Sequence, residues 1–244
     1  MSEISLEEAA TRRTVSNNIF RDDFMEDFSI FETEFVQCTF VNCGFDSARI
    51  GLSKFRNCRF TDCSFRDVHM MSCDFYDEST EKGCVWNRCD LSDAKFEKCD
   101  FSRNELIACK GFMLNLSECK AIGASFGLDV QRQVSNRLTI GGISCHRSNL
   151  TETNFSQLNL EGSTFDCCNL GNADFSKCNL TGVNFVGSNM GNLRLFGADM
   201  TRAKVAHADI DELALEDVLS LEDILVSQDQ HELFLRFFRI RTDN

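Results

Sequence analysis

The feature that most constrains the fold is an apolar residue at every fifth position in the first third of the chain. An α-helix repeats about every 3.6 residues and a strand about every 2, so neither element produces this spacing. A small or compact residue stands two positions before most of these residues, which gives the unit small–x–large–x–x. The large positions of this register are Phe20, Met25, Ile30, Phe35, Phe40, Phe45, Ile50, Phe55, Phe60, Phe65, Met70 and Phe75.

A longer period is superimposed on the first. Ile30, Ile50 and Met70 replace phenylalanine at steps of twenty residues. Four units in each turn would stack these three side chains in one column. The sequence therefore predicts an all-β solenoid with four-sided turns and one continuous core. The absence of proline agrees, because proline has no N–H to bond to the neighbouring turn.

The register is interrupted twice. It resumes one residue out of phase at Trp86, and the original phase returns from Leu150 to Ile210. The interruptions at 76–83 and at about 127–144 predict two loops that leave the core. We therefore expect an N-terminal cap over 1–19, a repeat region over 20–210 and a C-terminal segment over 211–244.

Four copies of a short motif stand out in the second half of the chain. They are Ala173-Asp174-Phe175, Ser148-Asn149-Leu150, Ser163-Thr164-Phe165 and Ala198-Asp199-Met200. They resemble the pentapeptide-repeat family, whose motif is Ala-(Asp/Asn)-Leu-x-x. The resemblance implies a right-handed quadrilateral β-helix. Asparagine recurs just before the large residue, and we expect these amides to hydrogen-bond along the column.

The cysteines are interpreted from their positions. Of 14 cysteines, all except Cys145 and Cys167 fall in the small position, where a thiol acts as a compact apolar filler. Cysteines twenty apart would be close enough for a disulfide. No secretory signal or transmembrane run is evident, so we favour free buried thiols and a cytoplasmic location. A metal site is disfavoured because no Cys-x-x-Cys pair occurs and the four histidines are scattered.

No arrangement of residues indicates catalysis. There is no Gly-x-Ser-x-Gly setting and no glycine-rich phosphate loop, so we expect a non-enzymatic protein without a cofactor. The net charge of −13 lies mainly in the two ends of the chain, and no basic region is present. Direct binding to nucleic acid is therefore disfavoured.

The C-terminal segment departs from the five-residue period. Apolar residues between Leu213 and Leu225 fit an amphipathic helix with acidic residues on its outer side. A further apolar cluster follows, and together they exceed what one end of a solenoid can bury. A cap alone is one interpretation, and we favour a cap that also forms a homodimer. The predicted dimerisation residues are Leu215, Val218, Leu219, Leu221, Ile224, Leu225, Phe234, Phe237 and Phe238.

The first interruption is similar to that of the Qnr proteins, the pentapeptide-repeat group linked to quinolone resistance. It reads Phe75-Tyr76-Asp77-Glu78-Ser79-Thr80-Glu81-Lys82-Gly83-Cys84. The stretch from Cys119 to Phe126, the longer second interruption and the resumption at Asn149-Leu150 also match the Qnr layout. The second loop comprises Asp129, Val130, Gln131, Arg132, Gln133, Val134, Ser135, Asn136 and Arg137.

The Qnr resemblance implies a function. It implies an elongated dimer that binds DNA gyrase and topoisomerase IV, protects them from fluoroquinolones and mimics duplex DNA. The loops are implied to be needed for protection, and loops on a rigid scaffold are common binding sites. Mimicry requires the acidic residues to gather on one face of the rod. Two alternatives are a scaffold with an unrelated partner and an immunity factor against a topoisomerase poison.

Overall fold

The computed structural model describes residues 4–24, 28–135, 138–211 and 213–239. Met25, Asn136 and Arg137 of the predicted register and second loop lie outside these residues. The chain forms a parallel β-solenoid, as predicted, with an N-terminal helix, two projecting hairpins and a small C-terminal helix. The strands in chain order are β1 (Thr14–Ser16), β2 (Ile19–Arg21), β3 (Ser29–Phe31), β4 (Glu34–Val36), β5 (Thr39–Val41), β6 (Arg49–Gly51), β7 (Lys54–Arg56), β8 (Arg59–Thr61), β9 (His69–Met71), β10 (Tyr76–Asp77), β11 (Lys82–Gly83), β12 (Val85–Asn87), β13 (Lys95–Glu97), β14 (Glu105–Lys110), β15 (Asn115–Ser117), β16 (Ser125–Asp129), β17 (Gln131–Ser135), β18 (Leu138–Gly141), β19 (Ser144–His146) and β20 (Thr164–Asp166).

The rod has four faces, which we number in the order in which the chain crosses them. Face 1 contains the three-stranded sheet β1–β4–β7, and face 2 the six-stranded sheet from β2 to β16. Face 3 is built from single bridges such as Gly44 to Ser64, and face 4 contains the seven-stranded sheet from β3 to β20. Pairing between successive coils of the rod is parallel throughout the described sheets.

The register between coils confirms the predicted period and explains both slips. Phe40 pairs with Phe60, a separation of twenty residues. Phe60 pairs with Trp86, a separation of 26 (86 − 60), so the first hairpin adds six residues. Leu116 pairs with Cys145, a separation of 29 (145 − 116), so the second adds nine. Together these additions restore the original phase.

Stacked aromatic rings fill the core. Within one face the rings stack almost parallel, as for Phe45 and Phe65, whose centroids are 4.6 Å apart. Between faces they meet edge to face, as for Phe60 and Phe65 at 5.5 Å and 80°. Both geometries are favourable for aromatic pairs. The five-residue unit therefore specifies a close-packed interior.

The thiols contribute a polar contact that the sequence interpretation missed. All 14 cysteines are free, and all except Cys167 are buried. Most of the buried thiols lie within hydrogen-bond distance of a carbonyl one coil earlier, as Cys58 Sγ does of Phe35 O at 3.4 Å. At other corners the backbone N–H of the small residue donates to the carbonyl three residues earlier, as from Ala48 N to Phe45 O at 3.1 Å. Cysteine thus fills space and also donates to a buried carbonyl.

The repeated asparagines act differently from our expectation. Their side-chain oxygens accept from the backbone N–H two residues later, as Asn179 Oδ1 does from Thr181 N at 3.0 Å. Asn189 Oδ1 accepts from Gly191 N at 2.8 Å in the same way. The prediction of amide bonds along the column was therefore wrong for these residues. The hydrogen bond within the turn forms because its donor lies two residues away in the same turn, whereas a bond along the column needs a correctly placed amide in the neighbouring coil.

The N-terminal end is covered by helix α1 (Leu6–Ala10). Ser5 Oγ accepts from Glu8 N at 3.1 Å, and Leu6 and Ala9 are buried. The coil itself begins earlier than predicted, because Val15 is buried and pairs with Phe35. Residues 14–19 therefore belong to the solenoid rather than to a cap.

The C-terminal segment differs from its prediction. No helix covers the described residues between Leu213 and Leu225; there the chain continues to stack on the last coil, and Ser220 bridges to Asp199. A 3-10 helix (Gln228–Gln230) and α2 (His231–Phe237) follow. Leu215 continues the step of five after Ile210, and in so apolar a stretch this step and a helical period both fit the sequence.

Candidate functional site

The first hairpin leaves the rod after Phe75, at the corner between faces 1 and 2. Strands β10 and β11 pair antiparallel, and Cys84 N donates to Phe75 O at 3.1 Å where the chain returns. The predicted loop is thus a short, hydrogen-bonded hairpin.

Side chains of β7 and the corner after it hold the hairpin on its N-terminal side. Arg56 donates to Tyr76 O and contacts Asp74 Oδ2 at 3.0 Å. Asn57 donates to Asp77 Oδ2 at 2.5 Å and accepts from Thr80 Oγ1 at 3.0 Å. The predicted binding residues Asp77 and Thr80 therefore position the hairpin.

Asp77 also organises the turn itself. Its Oδ1 accepts from Ser79 Oγ at 2.7 Å and from Ser79 N at 3.0 Å. The hydrogen bond from the Ser79 hydroxyl is the main reason that the pKa of the Asp77 carboxyl lies below its usual value, and the bond from Ser79 N acts in the same direction. The anchoring carboxylate is therefore ionised at neutral pH.

Gly83 allows the hairpin to lie against the next coil. A Cβ at this position would lie 2.4 Å from the carbonyl carbon and oxygen of Arg103 and 2.5 Å from Asn104 N. These are backbone atoms, which cannot move aside as a flexible side chain could. The close approach requires glycine.

A buried asparagine lies beneath the hairpin, and sequence reasoning missed it. Asn104 Oδ1 accepts from Trp86 Nε1 at 2.9 Å, and its Nδ2 donates to Phe75 O at 3.1 Å and to Ser102 O at 3.2 Å. Asn104 and Trp86 are fully buried. The sequence held one signal for this buried contact: after the first slip, the small position two residues before Leu106 is occupied by asparagine.

The tip of the hairpin presents charged groups to solvent. Glu78, Glu81 and Lys82 are exposed, and within the described part of the chain none of their side chains has a hydrogen bond or an ion pair. Tyr76 is only half-exposed. Of the predicted residues of this hairpin, these three are exposed and make no side-chain contact of these kinds within the described chain.

The second hairpin is formed by β17 and β18, which pair antiparallel and leave the rod at the corner between faces 3 and 4. Arg132 lies over the ring of Phe112, with its guanidinium carbon 5.0 Å from the ring centroid. Val134 and Ile140 are 55% and 45% exposed. This hairpin therefore offers an apolar surface beside a cation, in contrast to the charged first hairpin.

The structure corrects one member of the predicted second loop. Val130 is 1% exposed and fills the column below Gly111, whose Cβ position is 3.5 Å from a Val130 methyl group. It belongs to the core and cannot contact a partner. Asp129, Gln133 and Ser135 are exposed, and Gln131 is half-buried.

The predicted dimerisation residues divide by burial. Leu215 and Phe234 are buried in the chain's own core, which corrects their assignment to an interface. Leu219, Leu225 and Phe238 are exposed, with Leu219 reaching 74%. Val218, Leu221, Ile224 and Phe237 are partly buried against the core.

Burial is the main influence on three thiols in the second half of the chain. It raises the pKa of Cys168 and Cys178 to about 12, and that of Cys145 well above its ordinary value. Among the described residues, no three of His, Cys, Asp or Glu are grouped so as to hold a metal ion. None of the helices described is long and apolar enough to cross a membrane.

Comparisons with known proteins agree with this architecture. The family model described as "Pentapeptide repeats" matches residues 143–182 and 178–212. Pentapeptide repeat protein QnrB4 of Escherichia coli is 31% identical over 90 residues, 36% of this chain and 42% of QnrB4. Quinolone resistance pentapeptide repeat protein QnrB96 of Scandinavium goeteborgense is 30% identical over 95 residues, 38% of this chain and 44% of QnrB96. The chain thus matches less than half the length of each relative.

Solved structures extend the likeness of fold to nearly the whole chain. Full-length QnrB1, a plasmid-mediated fluoroquinolone resistance protein, superposes with a TM-score of 0.63 at 21% identity, covering 92% of this chain and 99% of QnrB1. HetL from the cyanobacterium Nostoc, which is involved in heterocyst differentiation regulation, gives 0.59 at 17%, covering 91% and 95%. At such identities the likeness concerns the fold alone. The chain therefore resembles the Qnr pentapeptide-repeat proteins in its repeats, in part of its sequence and in its fold.

Proposed function

We propose that this protein binds a bacterial type II topoisomerase, DNA gyrase or topoisomerase IV, and protects it from fluoroquinolones. The observation that carries the proposal is a Qnr-like rod interrupted by two structured hairpins. The protein acts by occupying its partner, without turnover. The proposal also places it in the cytoplasm, where such a partner works.

The two hairpins supply complementary kinds of contact. Glu78, Glu81 and Lys82 of the first hairpin have no partner within the described chain, so they can pair with charges on another protein. Val134 and Ile140 of the second hairpin are apolar side chains exposed on a rigid support. A hairpin whose backbone is already hydrogen-bonded loses less entropy on association than an unstructured loop would.

The charge pattern favours recognition through the hairpins over mimicry of DNA along the rod. Carboxylates occur on every face, for example Asp100 on face 1, Glu105 on face 2, Asp90 on face 3 and Glu97 on face 4. Many lie beside a cation of the neighbouring coil, as Asp62 does beside Arg88 at 2.7 Å. Such pairing reduces the acidic field that a DNA-binding surface would meet.

We further propose a homodimer through the C-terminal segment. Leu219, Leu225 and Phe238 expose apolar surface close to the end of the rod. Two copies related by a twofold axis would cover this surface and give an elongated particle. The hairpins lie away from this end and would remain accessible in both copies.

Association with purified gyrase tests the proposal. The triple variant Glu78→Ala/Glu81→Ala/Lys82→Ala removes the free charges of the tip and keeps the anchoring contacts of Asp77 and Thr80. We expect it to bind gyrase about tenfold more weakly than wild type, measured by biolayer interferometry. The matched control Glu32→Ala/Glu152→Ala/Lys177→Ala, on exposed positions outside the hairpins, should bind as wild type does. Equal loss in both triple variants would remove the first hairpin from recognition.

A further inference from the structure

A cleft of about 620 Å³ opens on the C-terminal side of the first hairpin. Hairpin residues Glu81 to Gly83 form one wall, and the first residues of the face 2 strands form the floor. The groups that define its chemistry are Arg59, Lys82, Arg103, Glu105, Val85 and Ile107. The cleft exists because the hairpin stands off the rod at this corner.

Two aliphatic side chains line part of the cleft, and its end at Gly123 is open. They are Val85 in β12 and Ile107 in β14, and Ile107 is 47% exposed. Gly123 follows Arg103 in the corner column and has a φ of +64°; its Cβ position is 3.9 Å from Arg103 Cγ. A larger residue at Gly123 would partly fill this end.

The cations around the cleft lack the pairing seen elsewhere on the rod. On neighbouring coils Arg88 contacts Asp62 at 2.7 Å, and Arg66 contacts Asp46 at 2.6 Å. Within the described residues, Arg59, Lys82 and Arg103 have no ion pair and no side-chain hydrogen bond.

The register explains why these charges remain unpaired. Val85 lies between Arg59 and Glu105 in one column of face 2, so the two charges are separated by two coils, about 10 Å. Arg103 has Gly123 as its neighbour in the next coil rather than an acid. Val85, between Arg59 and Glu105, and Gly123, next to Arg103, thus leave both guanidinium groups available to a carboxylate of another molecule.

We propose that this cleft binds an extended segment of the protein partner in which carboxylates flank an aliphatic side chain. The aliphatic group would lie on Val85 and Ile107, and the carboxylates would pair with Arg59 and Arg103. Glu81 and Glu105 disfavour a run of phosphates in the same place, and the chain as a whole carries −13. This inference rests on the proposed function only in taking a topoisomerase as that partner.

A peptide titration tests the cleft independently of any topoisomerase. The probe is an acetylated, amidated pentapeptide of alternating glutamate and leucine, added to full-length ¹⁵N-labelled protein. We expect amide shifts confined to 82–85 and 103–107, which weaken as salt is raised. In Arg59→Glu/Arg103→Glu the apparent Kd should rise about tenfold or more. The control Arg49→Glu/Arg147→Glu changes one exposed residue of the face 4 strand β6 and one exposed residue at the corner after β19, and it should leave the apparent Kd within about twofold.

Several results would overturn the inference. They are shifts spread over all four faces, equal weakening in both double variants, or tighter binding of a single-stranded oligonucleotide than of the peptide.

Gyrase itself then separates this inference from the proposed function. If wild type binds gyrase and Arg59→Glu/Arg103→Glu binds about tenfold more weakly, both stand. If both proteins bind gyrase equally well, the cleft assignment is wrong and the proposed function survives. If wild type does not bind, the proposed function fails, and the peptide titration alone decides the cleft.

Discussion

The buried contact between Asn104 and Trp86 yields the sharpest prediction about stability. It fastens the coil after the first hairpin to the coil before it, because the same amide also donates to Phe75 O. Asn104→Ala leaves the indole N–H buried without an acceptor. An unsatisfied buried donor costs about 1–3 kcal/mol, and the small cavity adds about 1 kcal/mol. We expect Asn104→Ala to lower the free energy of unfolding by about 2–4 kcal/mol in total.

A double-mutant cycle isolates the hydrogen bond from the packing. Trp86→Phe removes the N–H and leaves a ring stacked on Phe60, whose centroid is now 4.2 Å from that of the tryptophan. The double variant should be less destabilised than the sum of the two single variants, by about 1–2 kcal/mol. Urea unfolding followed by far-ultraviolet circular dichroism measures all four proteins without depending on tryptophan fluorescence. Additivity within about 0.5 kcal/mol would refute the proposed bond.

Three further predictions follow from burial. Phe165→Ala should lower the free energy of unfolding by about 3–5 kcal/mol, because this buried ring contacts Phe155, Phe175 and Phe185. Asn169→Ala on the outer row should lower it by about 1 kcal/mol, and equal losses in urea melts would contradict the register. A thiol reagent at pH 8 should label Cys167 alone in the native protein and all 14 cysteines after denaturation; rapid native labelling of several thiols would show that the core is open. Truncation before Asp211 should give a monomer or an aggregate, whereas a full-length chain found by light scattering to be monomeric at micromolar concentration would exclude the dimer.

The solenoid could be predicted because its period is unlike that of any other element. A step of five places every large residue inside, and the separations of 26 and 29 residues restore the phase that the sequence displays. The two hairpins were predictable as breaks in that step. Their orientation was not, because it depends on Arg56 and Asn57, which precede the first hairpin by about one coil and stand in ordinary repeat positions.

Two errors have a common physical origin. The step from Ile210 to Leu215 continues the solenoid, yet leucine is frequent enough from Leu213 to Leu225 that a helical period fits as well. Stacking on the existing coil decides between them, and that contact is tertiary. In the same way Val130 was assigned to a loop, although it fills space that Gly111 leaves in the core.

The fold by itself does not determine the partner. HetL has the same architecture, at a TM-score of 0.59, and is involved in heterocyst differentiation regulation. We therefore propose that specificity resides in features that interrupt the repeat, here the free charges of the first hairpin, the apolar side chains of the second and the cleft beside Arg59 and Arg103. Those features set this chain apart from a plain rod.

A gyrase supercoiling assay with ciprofloxacin tests the central claim most directly. Purified wild-type protein should restore supercoiling at an inhibitory drug concentration, and Glu78→Ala/Glu81→Ala/Lys82→Ala should restore much less at equal stability. The control Glu32→Ala/Glu152→Ala/Lys177→Ala should protect as wild type does. If the folded wild-type protein leaves inhibition by the drug unchanged over the whole range of protein concentration, for gyrase and for topoisomerase IV alike, the account of this protein as a topoisomerase protector is contradicted.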